Sequence, residues 1–546
     1  QSSYSTAPKA LAKGQQLFQN HCAACHNFLQ KGIGPSLERA TEELPADWLK
    51  KFIHNAPEVI ASGDVRSAKL FEEYRQVMPA FPALKEADLD AILSFIHKNQ
   101  KALPKDQDAL GAIQDPISVK IKPEGWQFKL QYYTTAPATG PKAPLARINK
   151  MQVLKGEKER LFVLDLQGIL YELKDTQWNS ALDIRKERPH FISMPGLGTG
   201  FGSFAFHPDF DQNGLLYTTH TEKAQTARAD FGYADSIKVS LQWVVTEWKI
   251  ANGAATPFAA KGRELLRINM VAPMHGVQEI AFNPLAKAGE KDYGLLYIGV
   301  GDGGATENGH AQLCSNKNGI WGAVLRIDPS GHNSRNGQYG IPDQNPFAKE
   351  NSSTTVKEIF CRGFRNPNRI SWTSEGKMLI TDIGQTNLEE LNLGVAGADY
   401  GWPEREGTFV INPRGRMDKV YALPSDEPLQ KYRYPVMQYD HDEGKAISGG
   451  FVYEGQKIPE LTGKYLFGDI NNGRIFFADN AQLIQGKTAP VQEIELLLEN
   501  QLTTFQKINF PAKPDPHFGI GLQSEVFIFT KADGKLYRVV GLSRKE

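Results

Sequence analysis

The sequence has no excess of either charge and no long apolar segment. Its 546 residues include 62 lysines and arginines against 62 aspartates and glutamates. A balanced chain has no overall field that would attract nucleic acid or an anionic membrane, so we expect neither as a partner. The longest apolar runs, such as residues 295–300, are only as long as a strand. They fall short of the ~18 residues that cross a bilayer, so we expect no transmembrane segment.

An initial methionine is also absent, since the chain begins at Gln1. Such a start is typical of a processed N-terminus, and we expect an exported protein. Turn-forming and aromatic residues are instead plentiful, with 50 Gly, 32 Pro, 29 Phe, 18 Tyr and 8 Trp. This composition favours a mainly β fold beyond any helical part. At about 150 residues per domain, the length allows three or four domains, or one small domain beside one large fold.

Cysteine is scarce, and two of the four cysteines belong to one short motif. Cys22, Cys25 and His26 have the C-x-x-C-H spacing of c-type haem attachment. Two thiols one helical turn apart can add to two vinyl groups of one porphyrin, and His26 then lies under the iron. A zinc site would need a second Cys or His pair nearby, and a thioredoxin-like motif would need a βαβ context. Residues 10–20 have a helical pattern instead, so we expect a covalent haem c.

A c-type haem normally has a second axial ligand, which is Met or His. Met78 lies 52 residues after His26, in the string Val-Met-Pro-Ala-Phe, and it is the only methionine before Met151. His54 and His97 are the alternatives. His97 falls within a predicted amphipathic helix over 85–98, whose apolar face contains Leu89, Ile92, Leu93 and Ile96. We therefore expect Met78 to be the iron ligand.

Residues 8–102 resemble a class I cytochrome c, a small all-α domain. The order of features is an N-terminal helix, C-x-x-C-H, the turn Gly32-Ile33-Gly34-Pro35, the Met78 segment and a closing helix. The resemblance implies that the Pro35 carbonyl accepts a hydrogen bond from His26. Prolines at 104, 116 and 123 follow, in a composition that cannot hold one regular element. We expect a proline-rich linker over 103–125.

Residues 126–546 form a succession of short predicted strands with Asp, Asn and Gly between them. A hairpin is predicted over 160–165 and 169–173, and similar strands recur to the end of the chain. So many short strands without a change in composition favour a β-propeller, because radial repetition extends one fold without long exposed edges. Compact blades of about 45 residues would number more than the usual four to eight, so we expect long loops on the blades.

The residues of this region resemble the glucose/sorbosone dehydrogenases. The resemblance rests on six blocks in family order, which are residues 205–210, 296–304, 363–368, 389–392, 399–403 and a sixth block in two parts, 449–453 and 464–469. Within that family it looks like the soluble PQQ-dependent aldose dehydrogenases. Those proteins are six-bladed propellers that oxidise a sugar at its anomeric carbon with pyrroloquinoline quinone (PQQ) and calcium. The resemblance therefore implies a multidomain protein, with a helical cytochrome followed by an all-β six-bladed propeller.

The resemblance also implies site residues. His275 matches the general base, a task that suits an imidazole because its pKa lies near working pH. Arg365 matches the arginine at the quinone oxygens, and Asn366 is its neighbour in that site. Gly384 and Gln385 match the residues whose main-chain carbonyls hold calcium. PQQ is a tricarboxylate that needs cationic partners, for which the candidates are Lys445 and Arg474.

The sequence departs from the family at several of these positions. Gln278 and Glu279 stand where the family has Gly-Arg, and Glu279 adds an acid close to the predicted base. Asn368 replaces a usual glutamine, and Gln385 replaces a proline. These changes bear on the substrate and on cofactor retention. Haem attachment implies a periplasmic or other extracytoplasmic location, where the remaining pair, Cys314 and Cys361, is expected to form a disulfide.

Two functions follow from these features. The first is a quinohaemoprotein dehydrogenase that oxidises a sugar or related alcohol on the propeller and passes electrons to the haem, and from there to a soluble or membrane electron-transfer partner. The second is a haem-bearing binding module whose propeller recognises a glycan or a protein without a quinone.

Overall fold

The computed structural model describes residues 4–23, 25–28, 34–74, 77–100, 111–194, 198–251, 255–314, 316–428 and 430–545. The N-terminal region is helical and contains α1 (Pro8–His21), α2 (Ala40–Glu43), α3 (Ala46–Ala61), α4 (Val65–Tyr74) and α5 (Glu86–Lys98). Both helices that the sequence predicts here are present, as α1 and α5. Among the described residues, no helix combines the length and the apolar composition needed to cross a membrane.

Helices α1 and α5 cross in close contact, and a glycine makes this possible. A Cβ atom at Gly14 would lie 2.0 Å from the main-chain oxygen of Ala91. Any larger residue would therefore push the two helices apart. Around this crossing, Phe18, Leu89 and Ile92 are buried in one apolar cluster that also contains Cys22. The haem motif at the end of α1 is thus anchored in the core of the helical region.

Residues 111–122 follow the propeller surface without forming a helix or strand, and residues 101–110 lie outside the described part. Ile113 forms a single bridge with Val420, and the Ile121 amide donates to Glu443 Oε1 at 2.7 Å. The first strand, β1 (Pro123–Thr135), begins directly afterwards. The amides of Ile113 and Ile121 are therefore paired with residues more than 300 positions away.

Most of the strands form four separate antiparallel four-stranded sheets. The first has β2 (Ile148–Leu154), β3 (Arg160–Asp165), β4 (Ile169–Lys174) and β5 (Gln177–Asp183), and the second has β6 (Phe201–Phe206), β7 (Leu215–Lys223), β8 (Leu241–Ile250) and β9 (Ala260–Met270). The third has β10 (Glu279–Phe282), β11 (Leu296–Val300), β12 (Ala323–Ile327) and β13 (Ile359–Arg362). The fourth has β14 (Pro367–Trp372), β15 (Met378–Asp382), β16 (Leu388–Leu393) and, after the ribbon of β17 (Arg405–Glu406) and β18 (Phe409–Val410), β19 (Met437–Asp440).

The remaining strands form one nine-stranded sheet. It contains β1 with β20 (Ile447–Val452), β21 (Lys464–Asp469), β22 (Ile475–Asp479), β23 (Gln492–Leu498), β24 (Gln501–Thr503), β25 (Pro516–Ile520), β26 (Val526–Thr530) and β27 (Lys535–Arg544). Strand β1 pairs in parallel with β23 and antiparallel with β27, so the first strand of the chain joins the last. Short helices α6 (Ile184–Glu187), α7 (Phe210–Asn213) and α8 (Phe505–Asn509) lie in the connections.

The all-β propeller predicted from the sequence is confirmed, but the sheets are not six separate units. Strand β1 merges the last strands into one sheet, so the described residues show four separate four-stranded sheets and one larger sheet. Six inner strands nevertheless contact each other in a closed ring, in the order β2, β6, β10, β14, β20, β25 and back to β2. Because successive strands within a sheet are antiparallel, loops that precede an inner strand open at the same end as loops between second and third strands. We call this end the mouth.

The expected disulfide between Cys314 and Cys361 is wrong, because both are free thiols. Cys314 is buried in a cluster with Ile320 and Trp321, whereas Cys361 is buried in a different cluster with Phe364 and Tyr400. Burial raises the pKa of each thiol above its usual range. The two residues serve as small core side chains.

Candidate functional site

The haem-attachment motif continues the backbone turn that ends α1. The amides of Cys25 and His26 both donate to the Cys22 carbonyl oxygen at 3.0 Å, which places the two thiols one turn apart. The His26 Nδ1 donates to the Pro35 carbonyl oxygen at 2.9 Å, as the resemblance implies. Because a carbonyl can only accept, Nδ1 carries the proton and the lone pair of Nε2 remains for a metal. Gly32, Ile33 and Ala24 lie outside the described residues.

The surroundings of His26 fit a haem. A Cβ at Gly34 would lie 2.4 Å from the imidazole, so glycine is needed where the turn crosses the ring. Burial lowers the pKa of His26, partly offset by the Pro35 hydrogen bond, and this favours the neutral form that binds iron. Met78 is half-buried against the same apolar cluster as Cys22. These residues supply two thiols, a neutral imidazole and a thioether in apolar surroundings.

Neither histidine alternative to Met78 is well placed. His97 contacts the Thr41 hydroxyl at 2.9 Å through Nδ1, and its ring lies 4.5 Å from that of Tyr4. His54 is exposed on α3. Met78 therefore remains the predicted second ligand.

On the propeller, His275 lies in a strained turn at the mouth, just before β10. Its φ angle is +46°, a conformation that is costly for a residue with a side chain. The neighbouring backbone leaves little room, since a Cβ at Gly276 would lie 1.8 Å from the Trp243 indole nitrogen. A strained residue held by tight surroundings is typical of functional sites.

Asp302 orients His275. The two side chains meet at 2.8 Å through Nδ1 and Oδ1, and the same oxygen accepts from the Gly304 amide. Burial alone would raise the pKa of Asp302, but the hydrogen bond to His275 and the charges of His275 and Arg365 lower it. An ionised Asp302 holds the proton on Nδ1, so Nε2 has the free lone pair that a base requires.

Arg365 is buried. Its main chain lies next to this pair, because the Asp302 amide donates to the Arg365 carbonyl at 2.7 Å. Its guanidinium donates to the Gln385 side chain (2.7 Å), the Gly384 carbonyl (2.6 Å) and Glu307 Oε1 (2.6 Å). Gly384 and Gln385 thus meet Arg365, as the sequence predicts for one site. The Gly384 oxygen has a second lone pair, which leaves a position for a cation.

Two buried acceptor atoms at this site have no protein partner. They are Oδ2 of Asp302 and Oδ1 of Asn366, and both belong to side chains that are almost fully buried. The Asn366 amide nitrogen of the side chain lies 3.5 Å from Gln278 Oε1. Because buried acceptors are nearly always satisfied, these atoms fit a polar ligand that donates to them.

Glu279 is not a free acid next to the predicted base. Its carboxylate pairs with Lys150 and lies 3.7 Å from Arg369 Nε, between the inner strands β2 and β14. Asn368 is also structural, since it donates to the Ile447 carbonyl at 3.1 Å and accepts from Thr381 at 2.7 Å. These two departures from the family therefore hold inner strands together.

The two predicted cations for the quinone carboxylates have other partners. Arg474 pairs with Glu443 and Glu493 at 2.5 and 2.7 Å and donates to the Ile121 carbonyl, so its charge is neutralised. Lys445 reaches the cytochrome, where it lies 4.8 Å from the centre of the Tyr74 ring. The predicted roles of Arg474 and Lys445 are therefore not supported by their contacts.

Other buried cations occur near the inner ring, and sequence reasoning missed them. Burial lowers the pKa of Arg147 to about 10 and that of Lys531 to about 8, against the opposing effect of Asp515. Arg147 donates to the Thr199 carbonyl, whose neighbour Gly198 contacts the turn at His275. Both cations lie in mouth loops, Arg147 before β2 and Lys531 between β26 and β27, and Lys531 also pairs with Asp515 at 3.2 Å.

Behind Arg365 lies a group of buried carboxylates, Asp382, Glu389, Glu390 and Glu406. Glu406 Oε1 accepts from four consecutive amides, those of residues 385–388, at 2.8–3.2 Å. Burial raises the pKa of Asp382 and Glu389, and raises that of Glu390 to about 7. Burial also lowers the pKa of His441, which contacts Glu389, to about 4. The Gln385 loop is thus held by the Glu406 carboxylate, and behind it lie buried acids whose raised pKa values favour the protonated form.

The raised pKa of Glu390 makes the stability of the folded protein depend on pH. Between pH 4.5 and about 7 the folded protein keeps a proton on Glu390 that the unfolded chain releases, so this group's contribution to stability falls as the pH rises. Glu390→Gln cannot ionise. We expect its melting temperature, relative to the native protein, to rise by about 2 °C between pH 5 and pH 8. Exposed Glu460→Gln is the control, and a pH-independent difference for Glu390→Gln would contradict the assignment.

Three curated relatives show partial similarity to the chain. The HIPL1 protein of Arabidopsis thaliana is 27% identical over 57% of this chain, and the human Hedgehog-interacting protein is 26% identical over 57%. Quinoprotein glucose dehydrogenase B of Acinetobacter calcoaceticus is 26% identical over 40%. The matches span 49%, 39% and 43% of these relatives, so the chain corresponds to about half of their length or less.

A solved glucose dehydrogenase shares the propeller fold. It superposes with a TM-score of 0.50 at 16% identity, over 73% of this chain and 97% of that protein. At the family level, residues 11–100 match the cytochrome c model and residues 151–501 match the glucose/sorbosone dehydrogenase model. The second match covers well over half of the sequence, and the chain therefore belongs to the glucose/sorbosone dehydrogenase family, with a cytochrome c domain before the propeller.

Proposed function

We propose that the protein is a quinohaemoprotein dehydrogenase that oxidises an aldose or related alcohol with PQQ and calcium and passes the electrons to its haem c. One observation carries the proposal, which is that Asp302 holds His275 through Nδ1 while its amide donates to the Arg365 carbonyl, so the loop of the predicted base joins the loop of Arg365 and Asn366 at the propeller mouth. The cytochrome c domain before the propeller supplies an acceptor in the same chain. A tether raises the effective concentration of that acceptor.

We also propose that the propeller has six blades. The closed ring of six inner strands supports this number, with the nine-stranded sheet counted as two blades. One is β20–β23, and the other is β25–β27 with β1 as its outer strand. A blade completed by the first strand of the chain ties the two ends of the propeller together.

In the proposed site, Arg365 and Asn366 hold the quinone, and Arg147 and Lys531 supply further positive charge for its carboxylates. When bound, PQQ accepts two electrons from the substrate carbon. His275 Nε2 removes the proton of the substrate hydroxyl, and Asp302 stabilises the imidazolium that forms. Arg365 places positive charge where negative charge increases. The free lone pair of the Gly384 carbonyl is the proposed calcium ligand, with Gln385 beside it.

Asp302 is a positioning residue in this scheme. Asp302→Asn keeps the shape of the side chain but removes the charge that fixes the Nδ1 proton. We expect turnover to fall by about 100-fold or more, because the neutral amide no longer stabilises the imidazolium that forms. Steady-state rates across pH test this. A rate within threefold of the native one would show that Asp302 has only a structural role.

Binding of the quinone is the direct test of the proposal. Native mass spectrometry of the purified protein, before and after addition of PQQ and calcium, should show one PQQ per chain, and Arg365→Gln should weaken that binding. A chain that stays free of PQQ would favour a binding module, the second candidate. The similarity to Hedgehog-interacting protein supports that alternative.

For the location, we propose the periplasm or another extracytoplasmic compartment, because haem c attachment takes place there.

A further inference from the structure

Among the described residues, the hydrogen bonds and ring contacts between the cytochrome and the propeller come from loops at the mouth. Lys142 lies before β2, Lys238 between β7 and β8, and Lys445 before β20, which are all mouth loops. His275, before β10, and Arg365, before β14, belong to the same class of loops. These contacts between the two domains therefore surround the candidate site.

Each of these three lysines donates to an uncharged oxygen of the cytochrome. Lys142 donates to the Ala80 carbonyl at 3.3 Å, and Lys238 donates to Gln19 Oε1 at 3.0 Å. Lys445 donates to the Glu73 carbonyl at 3.4 Å and lies over Tyr74. We call Lys142, Lys238 and Lys445 the lysine collar.

An aromatic contact adds to the lysine collar. Phe510, in the mouth loop before β25, is about half exposed and lies 6.1 Å from the Phe71 ring in an edge-to-face arrangement. Ala80 is two residues from the predicted ligand Met78, and Gln19 is three residues from Cys22. The collar thus holds the haem-binding part of the cytochrome and not its far side.

From these contacts, we propose that the mouth is the docking surface for the chain's own cytochrome, held by the lysine collar in the arrangement that transfers electrons. Its role in electron transfer rests on the proposed function, but docking itself does not. Because a single lysine hydrogen bond to an uncharged oxygen contributes little, the proposal includes a state in which the cytochrome leaves the mouth. Departure opens the site to substrate and the haem edge to an external acceptor.

Two charged residues belong to mouth loops and not to the collar. Glu307 lies in the loop between β11 and β12, and Lys513 lies in the loop before β25. Glu307 also binds Arg365. A cytochrome docked at the mouth therefore brings the haem towards both charges.

The reduction potential of the haem tests this arrangement without PQQ. In the docked protein, Glu307→Gln removes a negative charge and should raise the midpoint potential, whereas Lys513→Gln should lower it. High salt should reduce both shifts. The matched controls, Glu157→Gln and Lys155→Gln, lie in the β2–β3 loop at the opposite end and should cause no shift. Mouth variants that behave like these controls would overturn the proposal.

A second measurement tests the lysine collar itself. In the haem-loaded protein, the triple variant Lys142→Gln, Lys238→Gln, Lys445→Gln should make amide hydrogen exchange over residues 69–74 and 77–81 about tenfold faster. The control replaces Lys155, Lys287 and Lys487, three exposed lysines at the opposite end, and should leave exchange unchanged. Unchanged exchange in the collar variant would refute docking by these lysines. Because neither measurement requires turnover, a failure of the proposed dehydrogenase function would be seen separately.

Discussion

Replacing His275 by asparagine should lower aldose-dependent turnover by about 1,000-fold, because the variant loses its proton acceptor. Asparagine suits this test because it tolerates the left-handed backbone at this position and can still hydrogen-bond to Asp302. The fold and the haem absorption spectrum should therefore remain native. Steady-state rates with a dye acceptor, followed beside the haem spectrum, measure both effects.

The control is His332→Asn, an exposed histidine in the connection between β12 and β13. It should keep native activity. If His275→Asn also retained turnover within threefold, His275 would not be the base and the family-derived assignment would fail.

The second large effect concerns the haem. Met78→His should lower the midpoint potential by more than about 0.1 V, because axial ligands set haem potentials over a range of roughly 0.8 V and methionine favours the reduced iron. The covalent attachment through Cys22 and Cys25 should remain, so the variant still carries haem. Spectroelectrochemical titration measures the potential, and the visible spectrum should change to that of a bis-histidine haem.

His54→Gln and His97→Gln provide the matched comparison, since these are the other ligand candidates. Both should leave the spectrum and potential unchanged, because His54 is exposed and His97 contacts Thr41. If Met78→His were silent and either histidine variant altered the spectrum, the ligand assignment would be wrong.

The helical domain could be predicted in detail because covalent chemistry fixes its spacing. Two thiols and a histidine must occupy set positions to bind one porphyrin, so Cys22, Cys25 and His26 can be identified from the sequence alone. The helical period of the apolar residues likewise predicts a helix over 85–98, and the structure has this helix as Glu86–Lys98. Patterns of this kind depend only on residues that are close together in the sequence, so they can be predicted without knowing the fold.

The propeller site could be predicted only in part, because its partners are distant in sequence. Asp302 and Glu307 lie 27 and 58 residues from His275 and Arg365, their respective partners. The Gly-Asp-Gly-Gly string containing Asp302 was a usable signal, whereas nothing local marks Glu307. Arg474 illustrates the opposite error, since its charge is visible in the sequence but its pairing with Glu443 and Glu493 is not.

Haem reduction by an aldose tests the central claim most directly. The haem-loaded protein is reconstituted with PQQ and calcium under anaerobic conditions, a panel of aldoses is added, and the haem absorption bands are followed. We predict that at least one aldose reduces the haem, and that omission of PQQ abolishes the reaction. Absence of reduction across the panel, in a folded protein whose haem is reduced normally by dithionite, would contradict the account.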